Sequence, residues 1–166
     1  MHTFYCPRCW AEFTKDTAEC PCCGASLHED VDQDEYVVKL IRALRHPEAT
    51  TVVRAATILG LLRARGAVQP LRALLASSSD PYILESAVEA LGDIGDCTAI
   101  EELSDTLAHS YVRVRGKAAE ALGKLQDKRA RAALISALND RSAHVRTLAA
   151  EALAKLRHHE AVTQRP

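Results

Sequence analysis

Five of the six cysteines fall within the first 23 residues, as Cys6-Pro7-Arg8-Cys9 and, after ten residues, Cys20-Pro21-Cys22-Cys23-Gly24. Thiolates are soft metal ligands, and two C-x-x-C pairs can place four of them tetrahedrally around one Zn²⁺ at about 2.3 Å. The short turn inside each pair brings two sulfurs together, and the intervening residues return the chain. Cys22 could stand in for Cys23, but the C-x-x-C spacing and the trailing Gly24 favour Cys6, Cys9, Cys20 and Cys23 as the metal set. An all-thiolate shell leaves no open position for water or substrate, so such a zinc is expected to be structural. A redox C-x-x-C would be expected in a βαβ pattern, which is absent here.

These residues resemble the small prokaryotic zinc ribbon, C-P-x-C-G-x-x-F … C-P-x-C-G. The matching positions are Cys6, Pro7, Cys9, Phe13, Cys20, Pro21, Cys23 and Gly24, and the likeness covers about residues 3–27. Trp10 stands where that family usually has glycine. Rubredoxin-type iron sites usually carry their cysteine pairs much further apart. A module of this size has too small a core to fold without its metal.

Most of the remaining chain must position an array. Leu40, Leu71, Leu103 and Leu134 recur at 31 or 32 residues, and Leu44, Leu75, Leu107 and Leu138 run in step four residues later. Gly60, Gly92, Gly123 and Ala154 mark the other half of each unit. A fixed period of this size is the signature of stacked repeats, each burying its apolar face against its neighbours. Aromatic residues make up only 4% of the chain, so Ala, Leu and Val must build the core, a mixture suited to closely packed helices. Each unit reads as a leucine-bearing helix followed by a helix with small residues on one face, such as Ala118, Ala121, Leu122 and Leu125. Asp80-Pro81 predicts an N-cap with Pro at the first helical position, and Thr98 with Glu101 predicts a capping box.

Val114-Arg115-Gly116-Lys117-Ala118-Ala119-Glu120-Ala121-Leu122-Gly123 and its counterpart Val145 to Ala154 resemble the V-R-x-x-A-A-x-A-L-G helix of the HEAT repeat, in the short variety of the phycobilisome bilin lyases. The resemblance covers about residues 36–157. It implies an all-α fold, an α-solenoid of about four helix pairs (36–66, 67–96, 97–127 and 128–157), preceded by the ribbon and followed by a tail at 158–166. In that family the arginine ties neighbouring repeats together. Here only Arg115 and Arg146 keep it, since Val52 and Leu84 stand at the equivalent positions. Between ribbon and array, residues 28–35 read as an acidic, solvated linker whose end favours a helix N-terminus.

Charge narrows the functions. Residues 1–35 hold two basic and eight acidic side chains, net −6, and the remainder nineteen and fourteen, net +5. Neither half has the one-signed field of a dedicated nucleic-acid binder, and charges interrupt every apolar stretch short of a membrane span. The N-terminus lacks the basic and apolar regions of a signal peptide, so a cytoplasmic setting, where clustered cysteines mean metal, is the expectation. No Ser/His/Asp grouping, phosphate loop or pair of catalytic carboxylates stands out. HEAT-like deoxyhypusine hydroxylases hold di-iron through His-Glu pairs after the V-R position. Val53-Arg54, Glu85-Ser86, Gly116-Lys117 and Thr147-Leu148 occupy those places, and His159-Glu160 lies out of phase. HEAT-like DNA glycosylases grip a lesion with aromatics on a basic concave surface, whereas Trp10 belongs to the ribbon.

The expected function is therefore a non-enzymatic adaptor with structural zinc. The alternatives are an accessory or lyase-like factor for covalent protein modification, and nucleic-acid association through the ribbon. In HEAT stacks the second helices line the concave face, which places Glu89, Glu120 and Glu151 in one column, with Asp93, Lys124 and Lys155 beside it. Glu120–Lys124 and Glu151–Lys155 are expected as i, i+4 pairs. Tyr82, Tyr111, Arg113, Lys117 and His144 near the helix starts complete the candidate partner surface, Tyr and Arg being enriched at binding hot spots. Leu148, standing where the preceding repeat has Lys117, suggests a C-terminal end that lacks a polar cap and docks or pairs as a homodimer. Cys97 opens the third repeat, where a small buried thiol is the ordinary role and a reactive one the alternative.

Overall fold

A computed structural model describes residues 4–6, 9, 11–13, 17–24 and 33–163 of the chain. Trp10, the 28–32 part of the acidic segment and residues 164–166 lie outside the described residues. Two short strands, β1 (Phe4–Tyr5) and β2 (Glu12–Phe13), pair antiparallel with Phe4 opposite Phe13. Helix α1 (Gln33–Ala43) follows, so residues 33–35 belong to the array and not to a linker. Glu35 reaches Lys39 one turn on at 2.8 Å.

The array is four helix pairs: α1 with α2 (Ala49–Leu61), α3 (Val68–Ser77) with α4 (Pro81–Ile94), α5 (Ile100–Thr106) with α6 (Val112–Leu125), and α7 (Arg131–Ala137) with α8 (Ala143–Thr163). Single 3₁₀ turns lead into α3, α5 and α7. The stretch expected as a tail continues α8 to Thr163, and Glu160 reaches back from it to Arg131 on α7. The second helices α2, α4, α6 and α8 pack side by side in one row, while the first helices scarcely touch one another. Unequal spacing on the two sides bends the stack and puts the second helices inside the curve.

Burial follows the leucine ladders. Leu40, Leu71, Leu103 and Leu134 are completely buried, each pinning a first helix to its pair. Asp80 caps α4 as the sequence predicts, its Oδ1 accepting from the backbone N–H of Tyr82 at 2.8 Å and of Ile83 at 3.4 Å. The capping box at Thr98 does not form. Asp96 takes that role instead, accepting from the Thr98 N–H at 2.9 Å, because the 3₁₀ turn starts the element two residues earlier than helical periodicity suggests.

The glycine column has a steric cause. A Cβ built on Gly60 would lie 2.8 Å from Cα of Ala90, and one on Gly92 would lie 2.8 and 2.9 Å from Cβ and Cα of Ala121. At Gly123 the corresponding distances to Ala152 are 3.0 and 3.1 Å. Second helices therefore cross glycine on alanine, backbone to backbone. Gly92→Ala, which would gain up to about 1 kcal/mol in an unencumbered helix, is expected to lose about 1–3 kcal/mol here through overpacking. Urea unfolding of that variant beside Gly123→Ala checks the order, with the smaller loss at Gly123.

Candidate functional site

Among the described residues one group could hold a metal ion. The sulfurs of Cys6, Cys9, Cys20 and Cys23 all lie within 4.8 Å of one another. Cys6 and Cys23 are 3.6 Å apart, as are Cys9 and Cys20. Four thiolates at zinc–sulfur distances of about 2.3 Å stand about 3.8 Å apart at tetrahedral corners, so the donor set fits. Backbone bonds shape both knuckles: Cys6 N–H donates to the Ala11 carbonyl at 3.0 Å, and Gly24 N–H to the Cys20 carbonyl at 2.9 Å. Gly24 has φ +68°, a left-handed turn suited to glycine. Cys22 is exposed and outside the cluster; its N–H points at the Cys20 sulfur at 3.4 Å.

Two of the thiols are shifted in opposite directions. Desolvation opposes a thiolate at Cys20, but the backbone N–H groups of Cys23 and Cys22 outweigh it and bring the pKa down to about 6. At Cys9 the Ala11 backbone favours the thiolate, whereas burial and the neighbouring thiols of Cys23, Cys20 and Cys6 win and push the pKa up. A cation at the centre would relieve that crowding of negative charge. Cys97, by contrast, is half-buried under repeat four. Desolvation and Asp127 both raise its pKa, the environment of an inert structural thiol.

The candidate partner surface is brought together in part. Lys117 joins Glu89 of the preceding repeat at 3.1 Å and Glu120 at 3.2 Å. Burial works against its charge, yet the two carboxylates raise its pKa. Lys124 reaches Asp93 at 2.5 Å. The expected i, i+4 pairs Glu120–Lys124 and Glu151–Lys155 do not form. The stem of Lys124 lies over Gly92 and is led across to α4. Lys155 lies over Gly123 in the same way, but the residue after that glycine is Lys124 and not an aspartate. Glu151, Lys155 and His144 remain exposed.

At the helix starts the surface is aromatic. Tyr82 is 64% exposed, with the Arg113 guanidinium 6.0 Å from its ring centre and that arginine also paired to Glu85 at 2.9 Å. Tyr111, 47% exposed, stacks on His109 with centroids 5.4 Å apart. Glu12 of the cysteine module, Val53 and Arg54 of α2 and Tyr82 share one open cleft of about 420 Å³.

Arg115 is 3% exposed and clamps repeats three and four. Its Nε and Nη2 donate to the two oxygens of Asp140 at 2.7 and 2.9 Å, and its Nη1 to the carbonyls of His109 and Ser110 at 2.9 and 3.0 Å. Asp140 also accepts from the Ser142 N–H at 2.7 Å. The tying role implied by the resemblance is thus present at Arg115. Asp140, the residue that answers it, was missed by sequence reasoning; its one local signal is the Asp-x-Ser turn before α8. Arg72 also pairs across repeats, its Nε donating to Glu102 Oε1 at 2.7 Å, a contact unmarked in the sequence.

Leu148 does not sit on the free end. It packs back on α6, its Cδ1 3.2 Å from where a Cβ of Gly116 would stand, so a methyl fills the place that Lys117 fills with charge. Among the described residues of the last pair, the large apolar side chains left outside are Ile135 and Leu138, with Leu153 half-covered.

The architecture is thus that of an α-solenoid, helix pairs stacked in one row with a small four-cysteine module at the start. The HEAT-repeat family model matches residues 37–113 and 100–164, and the chain belongs to that family. No curated protein sequence matches it. Among solved structures, an engineered protein is similar with a TM-score of 0.61 at 25% identity, over 72% of this chain and 62% of that one. Human deoxyhypusine hydroxylase, solved in complex with glycerol, gives 0.65 at 25% identity, over 74% of this chain and 43% of the enzyme. The chain spans less than two thirds of either. The complex of CpcE and CpcF of phycocyanin lyase from Nostoc sp. PCC7120 gives 0.60 at 21% identity, over 89% and 72%, a likeness of fold. No helix among the described residues is long and apolar enough to cross a membrane.

Proposed function

We propose that the protein is a non-enzymatic, cytoplasmic adaptor: the inner row of helices binds a protein partner, and Cys6, Cys9, Cys20 and Cys23 hold a structural zinc ion. The observation that carries the reading is the contrast within the inner surface. Its column of charges is largely self-paired across repeats, whereas Tyr82, Tyr111 and Arg113 stay outside at the helix starts. Large amphipathic side chains left uncovered beside satisfied charges are the composition of a binding hot spot. The four-sulfur set offers a metal no open coordination position, which suits folding of the module and not turnover.

An affinity pull-down from nuclease-treated source cytosol tests the reading. A stoichiometric protein is expected, with recovery falling at least about tenfold for Tyr82→Ser/Arg113→Ala and unchanged for Glu101→Gln on an outer helix. Equal loss from both variants, or capture of nucleic acid alone, counts against it. An accessory or lyase-like role in covalent protein modification is the second reading. The shared fold with CpcE and CpcF favours it, and a chromophore retained on the purified protein would select it.

A further inference from the structure

The cysteine module and the array meet at one surface. The open cleft of about 420 Å³ that Glu12 lines from β2 has the starts of α2 and α4 as its other walls. Ala49, Val53 and the ring of Tyr82 give it an apolar lining. Glu12 stands opposite Tyr5 in the β1–β2 ladder, and Cys6, which follows Tyr5, donates its N–H to the Ala11 carbonyl at 3.0 Å. The place of Glu12 therefore depends on the same knuckle that the four thiolates would close around a metal ion.

Charge in this cleft differs from charge on the neighbouring surface. Glu48 accepts from the hydroxyls of Thr50 and Thr51, Glu85 pairs with Arg113, Glu89 with Lys117 and Asp93 with Lys124. Among the described residues Glu12 has no hydrogen-bond or ion-pair partner. Asp80 uses only Oδ1, on the N–H groups of Tyr82 and Ile83. Arg54, the cation among the described lining residues, is already engaged. Tyr82 keeps its ring largely exposed, and one guanidinium already lies 6.0 Å from its centre, that of Arg113, which Glu85 holds outside the cleft. The whole first part of the chain, residues 1–35, is acidic at net −6. Building on the inner-face binding proposed for this protein, we infer that the metal-loaded module is one wall of the partner site. Glu12, Asp80 and the Tyr82 ring together take a lysine or arginine from a basic segment of a protein partner. Nucleic acid would meet like charge at this wall, which favours a protein segment.

Two measurements on the zinc-loaded full chain decide this. Titration with a fluorescein-labelled peptide of about twelve residues, rich in lysine and arginine, is expected to give saturable binding. It should weaken at least about fivefold for Glu12→Gln and for Tyr82→Ser. Glu19→Gln removes the same charge from an exposed place of the module outside the cleft and should leave affinity within about twofold. Chelation should weaken binding as much as Glu12→Gln does. Equal losses from Glu12→Gln and Glu19→Gln, undiminished binding after chelation, tighter binding of a glutamate-rich peptide or an oligonucleotide, or no binding overturns the proposal. Seating of the module is read separately from backbone amide resonances. Chelation is expected to shift those of Thr50, Val53, Arg54 and Tyr82 and to leave Glu151 and Lys155 in place. Shifts confined to residues before Gln33 overturn it. A captured partner that is lost with Tyr82→Ser/Arg113→Ala, yet retained in full by Glu12→Gln and by the chelated chain, leaves the adaptor standing and overturns only the metal-dependent wall. No captured protein, together with the expected peptide pattern and shifts, defeats the adaptor reading while upholding the cleft.

Discussion

Replacing Asp140 with alanine will destabilise the protein by about 3–5 kcal/mol, the cost of stranding a buried charge. Arg115 is nearly inaccessible, its side chain 4% and that of Asp140 10% exposed, so water cannot take over the two bonds that the carboxylate accepts. The two backbone carbonyls that remain to Arg115 neutralise nothing. The same substitution removes the acceptor for Ser142 N–H at the start of α8. Because stability in a stacked array is a sum of repeat and interface contributions, the loss will fall on the last repeat. Amides of α8 should exchange faster while those of α4 change little. Urea unfolding and native-state hydrogen exchange check both parts. The double replacement Arg115→Met/Asp140→Leu should recover most of the loss, since removing both charges leaves nothing unpaired. The effect also has a pH signature. The hydrogen bond from Arg115 lowers the Asp140 pKa, with desolvation opposing. Its stabilisation is therefore complete above the ordinary aspartate value near 3.9 and is lost as pH falls through the lower folded value. The gap between wild type and Asp140→Ala should close as the solution is acidified below about pH 4.

Metal removal should have the other large effect, confined to the opposite end of the chain. Apparent binding energies of structural zinc in small modules are about 10–16 kcal/mol at neutral pH, and that energy is folding energy. A strong chelator is expected to take one zinc per chain and to abolish the β1–β2 pairing, while the helical ellipticity of the array barely changes. The two parts separate because the array has its own continuous apolar core from Leu40 to Leu156, which includes none of the module's residues. Cys20→Ser and Cys23→Ser should each abolish stoichiometric metal, whereas Cys22→Ser should retain it, Cys22 being exposed and outside the cluster. Cobalt substitution gives an independent reading, as four thiolates produce an intense tetrahedral charge-transfer spectrum. Fully reduced thiols with no bound metal would remove zinc from the proposal.

The residues missed and the residues found divide along a physical line. The leucine ladders and the glycine column were readable because every repeat solves the same contact problem, so one steric requirement is written several times at one period. The cysteine set was readable because both ligands of each knuckle lie within one turn. Lys124 illustrates the opposite case. Its neighbour in sequence is Glu120, yet its ammonium goes to Asp93, because the glycine at 92 opens a path across α4. Lys117 likewise serves Glu89 across the interface, and Leu148 faces α6 and not the end of the stack.

Local spacing was enough to establish the period, the helix pairs, the residues that fill the core and the four thiols that converge, because each unit repeats the same pattern. Stacking settled the rest: which carboxylate answers Arg115, which lysines are taken up by neighbouring repeats, and which apolar side chains of the last pair lie uncovered. Those outcomes depend on how far one helix is shifted along the next. That offset arises from backbone contact at the glycine–alanine crossings and so exists only once the helices have packed together.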